Sequence, residues 1–136
     1  MSEAFAMDPR LAADTAHVAD LPLSRLLLMD DARFPWLILV PRRAGLAEWS
    51  DLDREAQHAL LDEVQHAAAA LRAAAPCDKL NIGALGNIVR QLHVHVVARR
   101  VGDAAWPGPV WGSGSAERYA AEPREALLAR LRARLG

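Results

Sequence analysis

Short apolar runs separated by turn-forming residues fill the first 40 positions of the chain and predict β-strands. Residues 17–20, 23–29 and 36–40 form such runs, and segment 30–35, between the last two, is typical of a turn. Pro22 carries no amide hydrogen, so it should interrupt the ladder between the first two runs. We therefore predict three strands, the second and third of which pair as a hairpin.

Helical spacing replaces these runs in the middle and at the end of the chain. Residues 50–53 supply a helix cap with an acidic first turn, and the predicted long helix continues from there until Pro76. A shorter helix is predicted from near Pro123. The apolar stripe of the long helix consists of Leu52, Ala56, Leu60, Val64, Ala67 and Leu71. The stripe of the shorter helix consists of Leu127, Leu128, Leu131 and Leu135.

Two further strands and a loop are predicted between these helices. Residues 80–85 and 90–100 are the strands, joined by a tight turn at Gly86 and Asn87. Residues 106–115 are rich in proline and glycine but include two tryptophans, which need a packing partner. Strands, one long helix, more strands and a short helix in this order predict an α+β fold with a mainly antiparallel sheet.

Length and composition indicate one domain. The chain has 136 residues, of which 52% are hydrophobic and 24% charged, which suffices for a domain with a core. We predict a single domain over residues 1–136, with its core at 10–112 and a C-terminal tail and helix at 113–136. A net charge of -1 gives no general electrostatic attraction to nucleic acid or to an anionic membrane, so neither is an expected partner.

Cysteine usage and hydropathy bear on the compartment. The single cysteine, Cys77, excludes an intramolecular disulfide. The first residues show neither the basic nor the apolar stretch of a secretory signal, and no apolar run approaches the roughly 20 residues of a transmembrane helix. We therefore expect a cytoplasmic location.

The chemistry of the chain is concentrated in the sequence Gln-Leu-His-Val-His-Val-Val at residues 91–97. In a strand, side chains alternate between faces, so Gln91, His93 and His95 should share one face, with their rings about 6 to 7 Å apart. A neutral imidazole is a competent nucleophile toward phosphorus near pH 7. A second, protonated imidazole could give a proton to the leaving oxygen. The glycines at positions 83 and 86 offer backbone amides to a phosphate.

The residues alone leave two other interpretations of these histidines open. They could occupy a half-exposed sheet face without chemistry, or they could bind a metal ion, since His-x-His is a good two-ligand element. A metal site needs another ligand, and His17, beside a predicted strand, could be that ligand or a residue at the rim of the site. His58 and His66 fall on the polar face of the long helix and are expected to be surface residues.

Segment 91–97 and its surroundings resemble the histidine triad (HIT) family, whose signature is His-φ-His-φ-His-φ-φ with φ apolar. Gln91 stands at the first histidine, and His93 and His95 match the other two. The resemblance covers roughly residues 23–99. The tryptophan-bearing segment 106–112 is similar to the tail of a bacterial branch of dinucleoside polyphosphate hydrolases, and Trp36 stands where many members carry a further histidine.

The resemblance implies a five-stranded antiparallel sheet, a homodimer, and a nucleotide bound across the sheet. It makes His93 the nucleophile at the α-phosphate, and His95 a contact to the same phosphate that helps the leaving group. Gln91 is an accessory catalytic residue, whose carbonyl fixes the His93 tautomer and whose amide could donate to a phosphate oxygen. The implied substrate-binding residues are Gly86 and Asn87 near the phosphate, Asn81 nearby, and Asp30 at the ribose hydroxyls, with Asp31 as the alternative.

The leading hypothesis is therefore a nucleotide hydrolase or transferase that acts through a nucleotidyl-histidine. Its substrate would be a dinucleoside polyphosphate or a nucleoside phosphoramidate, with no obligatory cofactor or metal, although Mg²⁺ can assist a polyphosphate leaving group. The alternatives are a noncatalytic nucleotide sensor on the same dimeric fold, and an enzyme that uses His93 and His95 as metal ligands. Because Gln91 and Trp36 both belong to an accessory cluster, we expect activity to survive their presence.

Overall fold

The protein is described over residues 4–135 by a computed structural model, and its elements follow most of the predicted segments. Helix α2 begins at the predicted cap, where the Asp53 carboxylate accepts a hydrogen bond from the amide of Ala56 at 2.8 Å. The elements in chain order are helix α1 (Pro9–Asp14), strand β1 (Thr15–Asp20), strand β2 (Ser24–Met29), strand β3 (Trp36–Pro41), a 3-10 turn (Trp49–Asp51), helix α2 (Arg54–Ala74), strand β4 (Lys79–Gly83), strand β5 (Val94–Arg99) and helix α3 (Ala121–Leu135).

The strands form one five-stranded sheet in the order β1-β2-β3-β5-β4, and every neighbouring pair is antiparallel. The predicted hairpin is confirmed, with Leu26 of β2 opposite Leu39 of β3. The α+β fold with a five-stranded antiparallel sheet is therefore confirmed. Strand β5 lies between β3 and β4, so its backbone is hydrogen-bonded on both sides and holds its side chains rigidly.

One face of the sheet is covered by helices α2 and α3. Alternation along the strands sends one set of side chains to this face, and Leu92, Val94 and Val96 share it as predicted. The helices meet these residues with their own apolar stripes, in which Leu60, Leu71 and Leu131 are fully buried. Full burial of a leucine contributes roughly 1.5–3 kcal/mol, so this layer is a major source of stability.

The opposite face holds a second apolar cluster and the histidines. Its core is formed by Leu11 of α1, Leu27 of β2, Phe34, Trp36 and Ile38 at and before β3, Val40, Val97 of β5, and Val110. His95 points to this face because it pairs in register with Ile38. In the part of the chain that the structure describes, no helix combines the length and apolar character needed to span a bilayer.

The segment between β4 and β5 differs from the prediction. Strand β4 ends at Gly83 and β5 begins at Val94, so residues 84–93 form a loop instead of a two-residue turn flanked by strands. Gly86 adopts a positive φ of 74°, as a turn residue would, but within this longer loop. The loop places Val89 against the second apolar cluster and His93 beside His95 on the same face of the sheet.

Helix α1 is absent from the sequence prediction. Its six residues begin with Pro9 after the cap residue Asp8, whose side chain accepts from the amide of Arg10 at 2.8 Å. Only Leu11 is buried, so the helix offers no periodic stripe. It nevertheless covers part of the face that carries the histidines.

Candidate active site

His93 and His95 lie side by side at the centre of the second face. Their ring centroids are 4.8 Å apart, closer than the predicted 6 to 7 Å, because His93 precedes strand β5 and its ring tilts by 64° against that of His95. Both residues are buried, with 6% and 5% of their surface exposed. The structure thus brings the two predicted histidines together on one face.

His93 is oriented by the backbone two residues before it. Its Nδ1 lies 2.6 Å from the carbonyl oxygen of Gln91, which can only accept a hydrogen bond. Nδ1 therefore carries the proton, and the lone pair of the neutral ring is on Nε2. This is the arrangement that the sequence led us to expect, since a carbonyl is supplied by any residue at position 91.

The side chain of Gln91 is engaged elsewhere. Its Oε1 accepts from the amide of Asp8 at 2.9 Å, and its Nε2 donates to the carbonyl of Ala6 at 2.8 Å. Both ends of the amide therefore bind the backbone of the N-terminal segment. The structure gives no support to the expectation that this amide donates to a phosphate oxygen, because one of its two N–H groups binds Ala6 and Gln91 does not line the cavity that the histidines open onto.

His95 is held in the opposite tautomer. Its Nδ1 lies 3.0 Å from the indole Nε1 of Trp36, and an indole N–H can only donate. Nδ1 of His95 is therefore the acceptor, and the ring proton is on Nε2. Burial, with a further contribution from His93, lowers the pKa of His95 to about 3. The second imidazole is therefore neutral in this structure, whereas the sequence led us to expect a protonated ring.

The histidines open onto a cavity of about 330 Å³, within the roughly 300–1,000 Å³ typical of ligand sites. Gly86 and Asn87, the predicted phosphate residues, lie on its wall. The other lining residues are Arg10, Leu11, Asp14, Met29, Trp36, Leu85, Ile88, Val89, Trp111 and Gly112. The cavity thus combines an apolar wall with two imidazoles and a glycine-containing loop.

Asp30 and Asp31 lie beside a second cavity of about 250 Å³, which shares Trp36 with the first. The Asp30 carboxylate accepts from Arg118 at 3.0 Å and from the amide of Tyr119 at 2.9 Å. Asp31 is 2% exposed and forms a two-pronged ion pair with Arg33. Of the two carboxylates, Asp31 is the more fully committed to the fold.

Asn81 is placed outside the histidine cavity. Its side-chain oxygen accepts from Nη1 of Arg99 at 2.8 Å, and Arg99 also binds Asp103 through two hydrogen bonds. Trp106 stacks on the same guanidinium, with 5.6 Å from Cζ to its ring centroid. Asn81 therefore belongs to a buried ion-pair network. It was expected to be a substrate-binding residue, but it does not line the cavity.

The remaining histidines are dispersed. His58 and His66 are exposed on α2, as predicted, and Nε2 of His17 lies 3.0 Å from the Asp20 carboxylate on β1. Within residues 4–135, no three His, Cys, Asp or Glu side chains are grouped closely enough to hold a metal ion. His17 therefore does not join His93 and His95 as a third ligand.

Comparison with known proteins places this site in a family. The model of the HIT domain matches residues 10–102, which includes both histidines and the whole sheet. The chain therefore belongs to the HIT domain family.

Solved structures of histidine triad proteins agree with this assignment. One from Bradyrhizobium japonicum is 46% identical, with a TM-score of 0.96 over 98% of this chain and 100% of the other. One from Sinorhizobium meliloti is 50% identical, with a TM-score of 0.94 over 96% and 97%. A third, from Marinobacter aquaeolei, is 41% identical, with a TM-score of 0.95 over 98% and 97%. No curated protein matches the chain significantly.

The sequence analysis did not identify several of the residues that line the cavity. Arg10 and Asp14 come from the unpredicted helix α1, and Met29 ends strand β2. Trp111 was noted only as a residue that must pack, and its ring lies 5.4 Å from that of His95 and 6.4 Å from that of Trp36. The one available signal was its apolar bulk inside a glycine-rich loop.

Proposed function

We propose that the protein is a nucleotide hydrolase or transferase in which His93 attacks the α-phosphate of its substrate. The observation that carries the proposal is the hydrogen bond from Nδ1 of His93 to the Gln91 carbonyl at 2.6 Å. It leaves the lone pair on Nε2 of a ring that lines a cavity of ligand size. Membership of the HIT family supports the same chemistry. We choose the branch of dinucleoside polyphosphate hydrolases on the resemblance of the tryptophan-bearing segment 106–112 alone.

The reaction proceeds in two displacements. Nε2 of His93 forms a bond to the α-phosphorus while the bond to the leaving group breaks, and the electron pair departs with that group. Nδ1 keeps its proton, and its hydrogen bond to the Gln91 carbonyl stabilises the positive charge of the nucleotidyl-imidazole. Water or another hydroxyl acceptor then attacks phosphorus and releases its proton to solvent, while the phosphorus–nitrogen bond breaks and Nε2 regains its electron pair.

The histidine cavity and the second cavity beside it, which share Asp14, Met29, Trp36 and Gly112, together offer a place for each part of a nucleotide. We assign the phosphate to the loop around Gly86 and Asn87, whose backbone amides are hydrogen-bond donors, and to the Nε2–H of His95, because these residues line one cavity. The apolar wall, which includes Met29 and Trp111, suits a base. Asp30 is our choice for the ribose hydroxyls, because a carboxylate that binds two donors retains acceptor capacity and Asp31 is enclosed by its ion pair.

Replacement of the nucleophile tests the proposal. His93→Ala should lower turnover of diadenosine polyphosphates by a factor on the order of 10³ or more, while nucleotide affinity changes little, because the nucleophile contributes little to ground-state binding. His66→Ala, on the exposed face of α2, is the matched control and should keep wild-type turnover.

Mass spectrometry after an alkaline quench distinguishes an enzyme from a nucleotide sensor. The wild type should gain the mass of one nucleoside monophosphate on His93, and His93→Ala should not. Unchanged turnover in His93→Ala, or nucleotide binding with no adduct and no turnover in the wild type, would refute the proposed mechanism.

We also propose a homodimer and a cytoplasmic location. Exposed apolar side chains gather at β4, the last strand of the sheet, and at the loop after it, namely Ile82, Leu85 and Ile88. An edge strand with an apolar rim is a surface on which a second copy can pack. The free thiol of Cys77 is typical of a reducing compartment.

A further inference from the structure

Trp36 controls the state of the second histidine. Its indole N–H donates to Nδ1 of His95 at 3.0 Å, and both side chains are buried on the same face of strands β3 and β5. The indole nitrogen has no lone pair available to accept a proton. A proton on Nδ1 of His95 would therefore face the indole N–H, and the hydrogen bond would be lost.

The surroundings of His95 offer nothing to stabilise a second proton. Its ring is enclosed by His93, Trp36 and Trp111, with centroids at 4.8, 5.7 and 5.4 Å. Within the described residues, no carboxylate hydrogen-bonds to either of its nitrogens. When His93 becomes a nucleotidyl-imidazole it is cationic, and a second cation beside it would be repelled.

A neutral imidazole has limited power over a leaving group. Its Nε2–H can donate a hydrogen bond to a developing negative charge, which stabilises the charge without transferring the proton. Complete transfer would leave an imidazolate anion in a buried site, which is far less stable than the neutral ring. A leaving group that depends on His95 therefore receives no proton from it and departs most readily as an anion that is stable in its own right.

Resting on the proposed function, we propose that Trp36 is a positioning residue that fixes His95 as a neutral Nε2–H donor. We infer from this that the enzyme favours nucleoside phosphoanhydrides over phosphoramidates. In a phosphoanhydride the phosphorus–oxygen bond breaks and a phosphate anion departs with the electron pair. In a phosphoramidate the departing amine must first be protonated, and neither His95 nor the indole of Trp36 can supply that proton.

A leaving-group series tests the preference. Substrates share adenosine 5′-phosphate and differ in the group attached to phosphorus, which is phosphate, a phenol of graded acidity, or an alkyl amine. The wild type should show kcat/KM lower for the amine than for the phosphate by a factor on the order of 10² or more, the usual scale of general acid catalysis. Equal values of kcat/KM for the two substrates would overturn the inference.

Two tryptophan variants form a matched pair. Trp36→Phe removes the donor to His95 but keeps aromatic bulk, so Nδ1 can accept a proton. The ratio of kcat/KM for the phosphate substrate to kcat/KM for the amine substrate should therefore fall by about tenfold. Trp111→Phe also trims an indole against His95, but its Nε1 makes no hydrogen bond within residues 4–135, so the ratio should stay as in the wild type. A ratio that responds equally to both variants would contradict the role of Trp36.

Nitrogen-15 NMR of the histidine rings gives a readout independent of activity. His95 should appear as the Nε2–H tautomer at pH 7, and Trp36→Phe should lose this single form. A cationic or Nδ1–H ring in the wild type would overturn the positioning role. If the His93 adduct forms equally fast from both substrates, only this inference fails. If no adduct forms from either, the proposed function fails and the inference with it.

Discussion

The imidazole of His95 couples the site to the stability of the protein. In the unfolded chain this ring takes up a proton near pH 6.5, whereas in the folded chain burial lowers the pKa to about 3. Between these values the unfolded state binds more protons, so the free energy of unfolding falls as the pH is lowered. The expected loss between pH 6.5 and about pH 4.5 is about 2 kcal/mol, measurable by urea unfolding.

A variant that cannot titrate isolates this effect. His95→Gln keeps an acceptor for Trp36, and its free energy of unfolding should vary less over the same interval. The exposed His58→Gln is the control and should follow the wild-type curve. The Asp103 carboxyl is not a competing cause, because its hydrogen bond to Arg99 lowers its pKa to about 2 and its contribution is lost only below about pH 4. Identical slopes for His95→Gln and the wild type would contradict the buried neutral state.

The shared face of the two histidines could be predicted from the sequence, but the hydrogen-bond partners at the site could not. A spacing of two residues in an apolar run predicts a shared face, and His93 and His95 do share one. Trp36 and His95 are 59 positions apart, and Asp8 and Gln91 are 83 apart. No local pattern links such positions, so the tautomer of His95 and the use of the Gln91 amide required the folded structure.

The N-terminal segment, residues 6–14, is held against the site by Gln91. The Gln91 side chain binds Ala6 and Asp8, and Nη1 of Arg10 donates to the carbonyl of Ile88 at 3.0 Å. These contacts fix helix α1, which contributes Arg10 and Asp14 to the cavity. Position 91 thus acts on the site through the segment that it anchors.

Removal of this anchor should loosen one wall of the cavity. Gln91→Ala deletes two hydrogen bonds, which together contribute about 1–3 kcal/mol, and should accelerate amide hydrogen exchange in residues 6–14. KM for a nucleotide should rise while kcat stays close to wild type, because the carbonyl that orients His93 remains. Steady-state kinetics and exchange mass spectrometry measure both effects.

The control for this change is Gln65→Ala, an exposed glutamine on α2. It should leave hydrogen exchange and KM unchanged. Gln91→Glu keeps the acceptor for the Asp8 amide but loses the donor to Ala6, so intermediate effects are expected. Wild-type exchange in residues 6–14 of Gln91→Ala would show that other contacts anchor the segment.

Elements with a long repeat were predicted well, and short ones were not. The stripe of α2 runs from Ala56 to Leu71, which is about four turns, and the hairpin of β2 and β3 is two apolar runs around a turn, so each carries its own signal. Helix α1 has six residues and one buried side chain, too few for a period. The sequence prediction started β5 too early. Polar and apolar residues alternate over positions 90–93, but the pairing of β4 with β5 ends at Gly83 opposite His95, so these positions have no partner on β4.

The oligomeric state of the chain is the prediction that concerns the whole molecule. We expect a dimer in solution, with a mass about twice 14.8 kDa by light scattering at micromolar concentration. Ile82 lies on the edge strand β4 with 49% of its surface exposed. A lysine there should place a charge in the proposed interface, so Ile82→Lys is expected to have the mass of one chain.

Leu61→Lys supplies the matched control, because Leu61 is 48% exposed but lies on α2 away from the sheet edge. Both variants should retain the wild-type circular dichroism spectrum, since neither side chain is buried. A dimeric Ile82→Lys beside a dimeric wild type would place the interface on another surface, and a wild type of single-chain mass would refute the dimer. If both variants became monomeric, the apolar residues of α2 and of the edge strand would belong to one continuous interface.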